Sequence, residues 1–285
     1  MRILITGAGG MLGLDLQAAA RTAAHDTVAL TRAELDITDA AAVRAAVAEA
    51  RPDVVIGCAA WTNVDGAESA PEAAHAVNGA GAGHVAAAAA ACGAWTIHVS
   101  TDYVFDGSKR SPYLESDLVR PLSEYGRSKL AGERAVAAHA PEAHTIVRTA
   151  WLFGAHGRCF PKTMLRLAAD RDELSVVADQ IGCPTFTGHL AAALVGLAEQ
   201  RERTLGVVHL AASGECSWCD FARAVLAATP NAAATRVRPI TTAEYPTPAP
   251  RPAYSVLRSE REAPVLPSWR EGLASFMTEL STVTA

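Results

Sequence analysis

Three glycines spaced three apart follow the first apolar run of the chain, in Thr6-Gly7-Ala8-Gly9-Gly10-Met11-Leu12-Gly13, and they restrict the fold more than any other feature. Ile3-Leu4-Ile5 before them is a buried-strand run, and Leu12, Leu16 and Ala19 after them recur at helical spacing. A strand that turns through glycine into a helix brings backbone close to a diphosphate with no Cβ in the way. The helix start then offers free N–H groups and partial positive charge. Dinucleotide binding through Gly7, Gly10 and Gly13 is the first expectation.

The rest of the chain alternates apolar runs with helical segments. Strands are expected at Val28-Ala29-Leu30, Val54-Val55-Ile56, Thr96 to Ser100 and Thr145 to Arg148. Between them come a helix over 40–50 capped by Asp39 and stopped by Pro52, a long helix from Pro71 towards Cys92, and a helix over 123–139. Continuous apolar strands separated by helices imply an α/β fold, a doubly wound parallel sheet of the Rossmann kind. Residues 1–150 are expected to form this dinucleotide-binding domain, its sheet completed by segments near 175–212, where Val176-Val177 and Val207 to Leu210 read as strands. Residues 151–174 and 213–285 are left for a smaller C-terminal substrate lobe. Gly154 to Lys162 reads as a loop, and Pro239 to Pro252 is too rich in proline for a regular helix or a central strand.

Half of the 285 residues are apolar, enough for a large core, and the net charge of −5 comes without any run of basic residues. Nucleic acid is not an expected partner, because phosphate backbones are held by clustered Lys and Arg. The apolar stretch Val85 to Ala91 is too short to span a bilayer, and MRILITGAGG does not have the form of a signal peptide. Cysteines 58, 92, 159, 183, 216 and 219 are scattered and read as free thiols of a cytoplasmic protein. Cys216-Ser-Trp-Cys219 lacks the second pair that a structural zinc needs, so the spacing is read as chance and no metal is expected.

Tyr125-Gly126-Arg127-Ser128-Lys129 places a phenol and an ammonium four apart on a helix, hence on one face. A free phenol holds its proton too tightly to exchange it readily at neutral pH, and a nearby cation favours the phenolate. The pair therefore reads as proton-transfer machinery. Ser100-Thr101-Asp102-Tyr103-Val104-Phe105-Asp106-Gly107 lies at the carboxyl end of the fourth strand, where open sheets bind ligands, and a hydroxyl there can orient a carbonyl. Thr31-Arg32 stands where NAD enzymes carry an acid for the ribose. Arg32 suits the extra phosphate of NADP, and a solvated arginine is the plain alternative. NADPH is the expected cofactor, with NADH left open. His98 and Asn78 read as satisfied structural residues, with a water relay from Asn78 to Lys129 as the second option, and Asp106-Gly107 reads as a turn.

Together these motifs resemble the extended short-chain dehydrogenase/reductases, and in detail their dTDP-4-dehydrorhamnose reductase branch. Further matching stretches are 51–55, 59–65, 121–133, 148–151, Asp179-Gln180-Ile181-Gly182-Cys183-Pro184-Thr185 and Arg251-Pro252-Ala253-Tyr254-Ser255-Val256-Leu257. The resemblance implies that Gly10, Met11 and Leu12 line the pyrophosphate, that Asp36 and Ile37 sit by the adenine, and that Ala60, Trp61 and Thr62 run along the cofactor. Thr101, Asp102, Trp151 and Arg251 would meet the substrate, with Trp151 stacking near the sugar. Tyr125 would donate a proton, Lys129 would hold the nicotinamide ribose and lower the tyrosine pKa, and Thr101 would orient the carbonyl. The implied reaction is reduction of the C4 ketone of a nucleotide-linked 4-keto-6-deoxyhexose, and a homodimer is the implied assembly. Cys58 departs from the asparagine usual in the family, and Trp61 from a histidine or smaller residue. Asp15 and His189 fall near glutamates through which some relatives hold Mg²⁺, which argues against that ion here. A nucleotide-sugar dehydratase or epimerase of the same fold, and a non-catalytic NADP-binding regulatory subunit, remain as alternatives. The first would want a glutamate after Asp102, where Tyr103 stands. The second would show a degraded Tyr or Lys, and both are intact.

Overall fold

The structure is a computed structural model and describes residues 1–229 and 232–283. Its centre is a sheet of six strands: β1 (Arg2–Thr6), β2 (Asp26–Leu30), β3 (Val54–Gly57), β4 (Trp95–Thr101), β5 (His144–Thr149) and β6 (Gly206–His209). Every neighbouring pair is parallel, in the order 2-1-3-4-5-6. The direction of winding reverses between β1 and β3, so the crevice for a ligand opens at the carboxyl end of β1.

Side chains alternate across a strand, and both faces of this sheet are covered. Ile3, Ile5, Val54 and Ile56 pack against Leu12 and Leu16 of helix α1 (Met11–Thr22) and Leu190 and Leu194 of a helix far along the chain, Thr187–Glu199. Leu4 and Val55 face the other way, onto Val43 and Val47 of α2 (Ala40–Ala50) and Val85 and Ala89 of α3 (Ala82–Ala91). Ile3, Leu4 and Ile5 are fully buried, each worth roughly 1.5–3 kcal/mol. Helix α4 (Glu124–His139) lies on α3 with Val136 against Ala82 and Ala86.

Asp39 caps α2, accepting hydrogen bonds from the backbone of Ala41 and Ala42. The helix expected from Pro71 is made of three pieces: Pro71–His75, a π-helical stretch over Ala76–Gly81, and α3. Within the loop expected over 154–162, helix α5 (Phe160–Ala168) already begins, with Pro161 in its first turn where the missing N–H costs nothing. Further helices are the short Val64–Ser69, α6 (Thr187–Glu199, named above), α7 (Trp218–Ala227) and α8 (Trp269–Val283). Phe153, Phe186, Phe221, Trp269 and Phe276 form a second core among α5, α7 and α8. Short ribbons tie this lobe together: 173–177 pairs with 236–240, and 181–182 with 216–217. Val176-Val177 is thus a strand of the lobe, whereas Val207 to His209 joins the main sheet. Pro239 sits in a two-stranded ribbon, where a missing donor is tolerated.

Candidate active site

The glycine turn is a cradle that side chains would fill. Gly7 has φ +69°, and a Cβ there would lie 2.5 Å from the Ala59 nitrogen and 2.7 Å from its Cα. At Gly13 a Cβ would lie 2.6 Å from the Gly7 oxygen. Gly10 caps α1 without any side chain, so the first-turn N–H groups are free to meet an anion. The backbone of 7–13 therefore fits a pyrophosphate. Leu12 is buried in the core and the Met11 side chain lies towards Gly154, so both can reach a phosphate only through their backbones. Beyond β2, Arg32 is exposed and lies near Asp36, and Asp36 is itself tied to Thr38. Ile37 turns its side chain into the core, so any adenine contact there is to backbone. Ala60, Trp61 and Thr62 border the crevice after β3. Asn78 fixes Trp61 among them, accepting from Trp61 N at 2.8 Å and donating to Trp61 O and to Ser128 Oγ. Each polar atom of Asn78 is satisfied within the protein, in line with the structural reading.

The candidate catalytic side chains converge at the end of β4 and the start of α4. Ser123 caps α4, accepting from Gly126 N at 3.2 Å, and so fixes where Tyr125 begins the helix. The Tyr125 phenol lies by the Thr101 side chain, and its ring meets Tyr103 edge-on at 5.6 Å. Enclosure by protein pushes the phenol up to about 12, a shift the Thr101 hydroxyl opposes. Lys129, one turn on, is buried and donates to Val99 O at 2.7 Å, with His98 Nε2 at 3.5 Å. Burial brings its ammonium down to about 8. The expectation that Lys129 lowers the Tyr125 pKa is not met in this arrangement. Burial governs the phenol, which stays loaded with its proton, and the ammonium is turned to a carbonyl. His98 is held well below its ordinary range by burial and by Lys129, and is a neutral strand residue. Asp102 accepts from Thr101 Oγ1 at 3.0 Å, but its Oδ2 is buried without a partner, and burial raises the carboxyl to about 7.

On the side of the smaller lobe, a cleft of about 470 Å³ runs past Arg171, Gln180, Trp218, Tyr245 and Arg251. Arg251 lines it while gripping Asp65 through two nitrogens, at 3.0 and 2.8 Å. Trp151 has a positive φ of 47° and stacks on Trp218, with rings 3.5 Å apart and 4° from parallel. A Cβ on Gly182 would collide with the Trp151 indole. The ring is thus gripped by Trp218 and Gly182, and the face expected to stack near a sugar is taken by Trp218. Its edge, not its face, is left for a sugar.

Comparison with known proteins agrees with this geometry. The family profile described as RmlD substrate binding domain matches residues 1–282. A dTDP-4-dehydrorhamnose reductase of Mycolicibacterium smegmatis is 49% identical over 278 residues, covering 95% of this chain and 84% of that protein. The chain belongs to the RmlD family. A crystal structure of a dTDP-4-dehydrorhamnose reductase from Clostridium acetobutylicum superposes with a TM-score of 0.94 at 41% identity, over 99% of this chain and 100% of the other. Another, from Bacillus anthracis in complex with NADP, gives 0.92 at 39% identity, over 98% and 99%.

For a member of the RmlD family, two groups in the chain stand apart from the site described so far. Asp15 comes together with His156 and Glu279, their ligand atoms within 4.8 Å of one another, whereas His189 is outside that group and meets Ser275 at 3.3 Å. A set containing a histidine nitrogen does not fit Mg²⁺, which takes oxygen ligands. No step below calls on a metal. Sequence reasoning also gave no role to Trp218, or to the buried pair Glu133 and Arg148 beneath Lys129. Glu133 was findable, because it repeats the spacing from Tyr125 to Lys129 once more. Trp218 carried no such signal.

Proposed function

We propose that the chain is an NADPH-dependent 4-ketoreductase acting on a dTDP-linked 4-keto-6-deoxyhexose, converting dTDP-4-dehydro-L-rhamnose to dTDP-L-rhamnose. The observation that carries this reading is the Tyr125 phenol set by the Thr101 side chain at the end of β4, with Lys129 one turn on and the glycine cradle following β1 of the same sheet. Bound NADPH supplies the hydride. Tyr125, protonated at neutral pH, gives its phenolic proton to the C4 oxygen as charge develops there. The Thr101 hydroxyl shares that oxygen and fixes its direction. Lys129 holds the nicotinamide ribose by hydrogen bonds from its ammonium. Gly7, Gly10 and Gly13, with the backbones of Met11 and Leu12, hold the pyrophosphate, and Arg32 meets the 2′-phosphate, NADH being the weaker donor. Asp102, Trp151 and Arg251 line the path of the sugar and its diphosphate in the smaller lobe. The enzyme is taken to be cytoplasmic and a homodimer. All six cysteines are free thiols, and no helix among the described residues is long and apolar enough to cross a membrane.

A dehydratase would need a glutamate at position 103, where Tyr103 instead packs against Tyr125. The test is NADPH oxidation with dTDP-4-keto-6-deoxyglucose in the presence and absence of a 3,5-epimerase. Turnover only with the epimerase supports the rhamnose product, turnover without it moves the substrate to the unepimerised sugar, and none in either case overturns the substrate class. Tyr125→Phe should lose roughly 10²–10⁴-fold in turnover while binding NADPH normally. Unchanged turnover overturns the mechanism.

A further inference from the structure

Tyr125, Lys129 and Glu133 succeed one another at intervals of four along α4 and share one face of the helix. Glu133 is 4% exposed, as is Arg148 on β5. Glu133 accepts the Ser100 hydroxyl at 2.6 Å, Arg148 Nε at 2.9 Å and Arg148 Nη2 at 2.7 Å. The guanidinium lies over the Phe105 ring, 5.2 Å from its centroid. A buried ion pair is a poor brace, since apolar residues of the same volume hold a helix to a sheet as well or better. Its position beneath Lys129 gives it another use.

We propose that Glu133, locked in place by Ser100 and Arg148, is a positioning residue that keeps Lys129 charged and directed at the cofactor ribose. This rests on the reading of Lys129 given above. The other groups facing Lys129 supply no negative charge. From β4 come the neutral His98 ring and the Val99 carbonyl. From the end of β3 comes the Cys58 thiol, pushed up to about 12 by burial, and from α4 itself the protonated phenol of Tyr125. Among the described residues acting on Lys129, Glu133 is the carboxylate, and it opposes the loss of charge that burial imposes. Arg148 and Ser100 stop that carboxylate from swinging onto the ammonium, so Lys129 feels its charge while its N–H groups stay available.

The test reads the dissociation constant of NADPH against pH by fluorescence, with melting temperature recorded in parallel. Wild-type affinity should fall as pH rises through about 8, where Lys129 loses its proton. In Glu133→Gln this alkaline limb should move down by about one pH unit, because an opposite charge one turn away is lost. Glu133→Asp should move it less. A limb that stays in place in a folded Glu133→Gln, whatever its melting temperature, overturns the proposal and leaves the pair as a brace. If Glu133→Gln does not fold, Ser100→Ala is read on the same limb. A smaller downward shift supports the proposal, and none overturns it. Lys129→Met separates the two layers of the argument. A limb that persists there shows that Lys129 is not the titrating group, so the reading beneath fails first.

Discussion

Gly13→Ala sets two effects of known sign against each other. Gly13 lies within α1, and replacing glycine by alanine inside a helix should stabilise it by about 1 kcal/mol. The added Cβ, however, would lie 2.6 Å from the Gly7 oxygen and 2.7 Å from the Ala8 Cα, against ordinary contacts that begin near 3.4 Å. Helix and turn must part by about 0.8 Å, and the obstructing atoms are backbone, held by the Gly10 N to Gly7 O bond of 3.0 Å. Overpacking of that kind costs about 1–3 kcal/mol, so packing outweighs propensity by up to about 2 kcal/mol. The melting temperature should drop by up to roughly 8 °C. The displaced turn should also weaken NADPH binding, by roughly ten- to a hundredfold for a shift approaching 1 Å. Gly196→Ala in α6 is the matched control. Nothing lies within 4 Å of the new methyl, so propensity acts alone and the protein should gain about 0.5–1 kcal/mol. Scanning calorimetry and NADPH titration of both variants decide the matter. A Gly13→Ala protein as stable as Gly196→Ala, with wild-type cofactor affinity, would refute the argument from close packing.

Two further outcomes are expected. Asp102 holds a proton up to about pH 7 in the folded protein, against an ordinary 3.8, so the native state binds the extra proton between those values. Stability should therefore fall as pH rises from about 4 to about 7, by at most about 4 kcal/mol, and urea titrations of Asp102→Asn should show this slope reduced. Trp218→Ala removes the partner of Trp151 and, for a partly buried ring, should cost roughly 1–3 kcal/mol of stability. In steady-state assays it should raise the sugar KM and leave NADPH binding intact, and a defect confined to NADPH would count against the placing of Trp151.

The six-stranded sheet was legible because its strands are unbroken apolar runs, as in Ile3-Leu4-Ile5 and Val54-Val55-Ile56, which parallel strands covered on both faces require. The cap Asp39 announced its helix, since a short side-chain oxygen just before an apolar periodicity has few other uses, whereas Ser123, read as the first residue of the next helix, is its cap. The Tyr125 and Lys129 pair was legible for the same local reason. What escaped the sequence depends on partners distant along the chain. The π-helical stretch at 76–81 carries no residue signal, and Asn78 within it is positioned by Trp61 and Ser128 from other elements. Trp151 invited a sugar because nothing nearby in sequence announced Trp218. Lys129 was expected to govern Tyr125, yet enclosure by the fold outweighs it, and enclosure is invisible in spacing.

The last strand of the sheet, β6, arrives from beyond residue 200, and α6 just before it covers α1. A nascent chain that has emerged only as far as β5 would leave that strand as an open edge and the apolar side of α1 bare. Folding on the ribosome should consequently wait until some three-quarters of the polypeptide is out, and limited proteolysis between the halves should release no stable fragment. In an organism that lost translation near that point, the product would be a substrate for chaperones and proteases, not a weakened reductase.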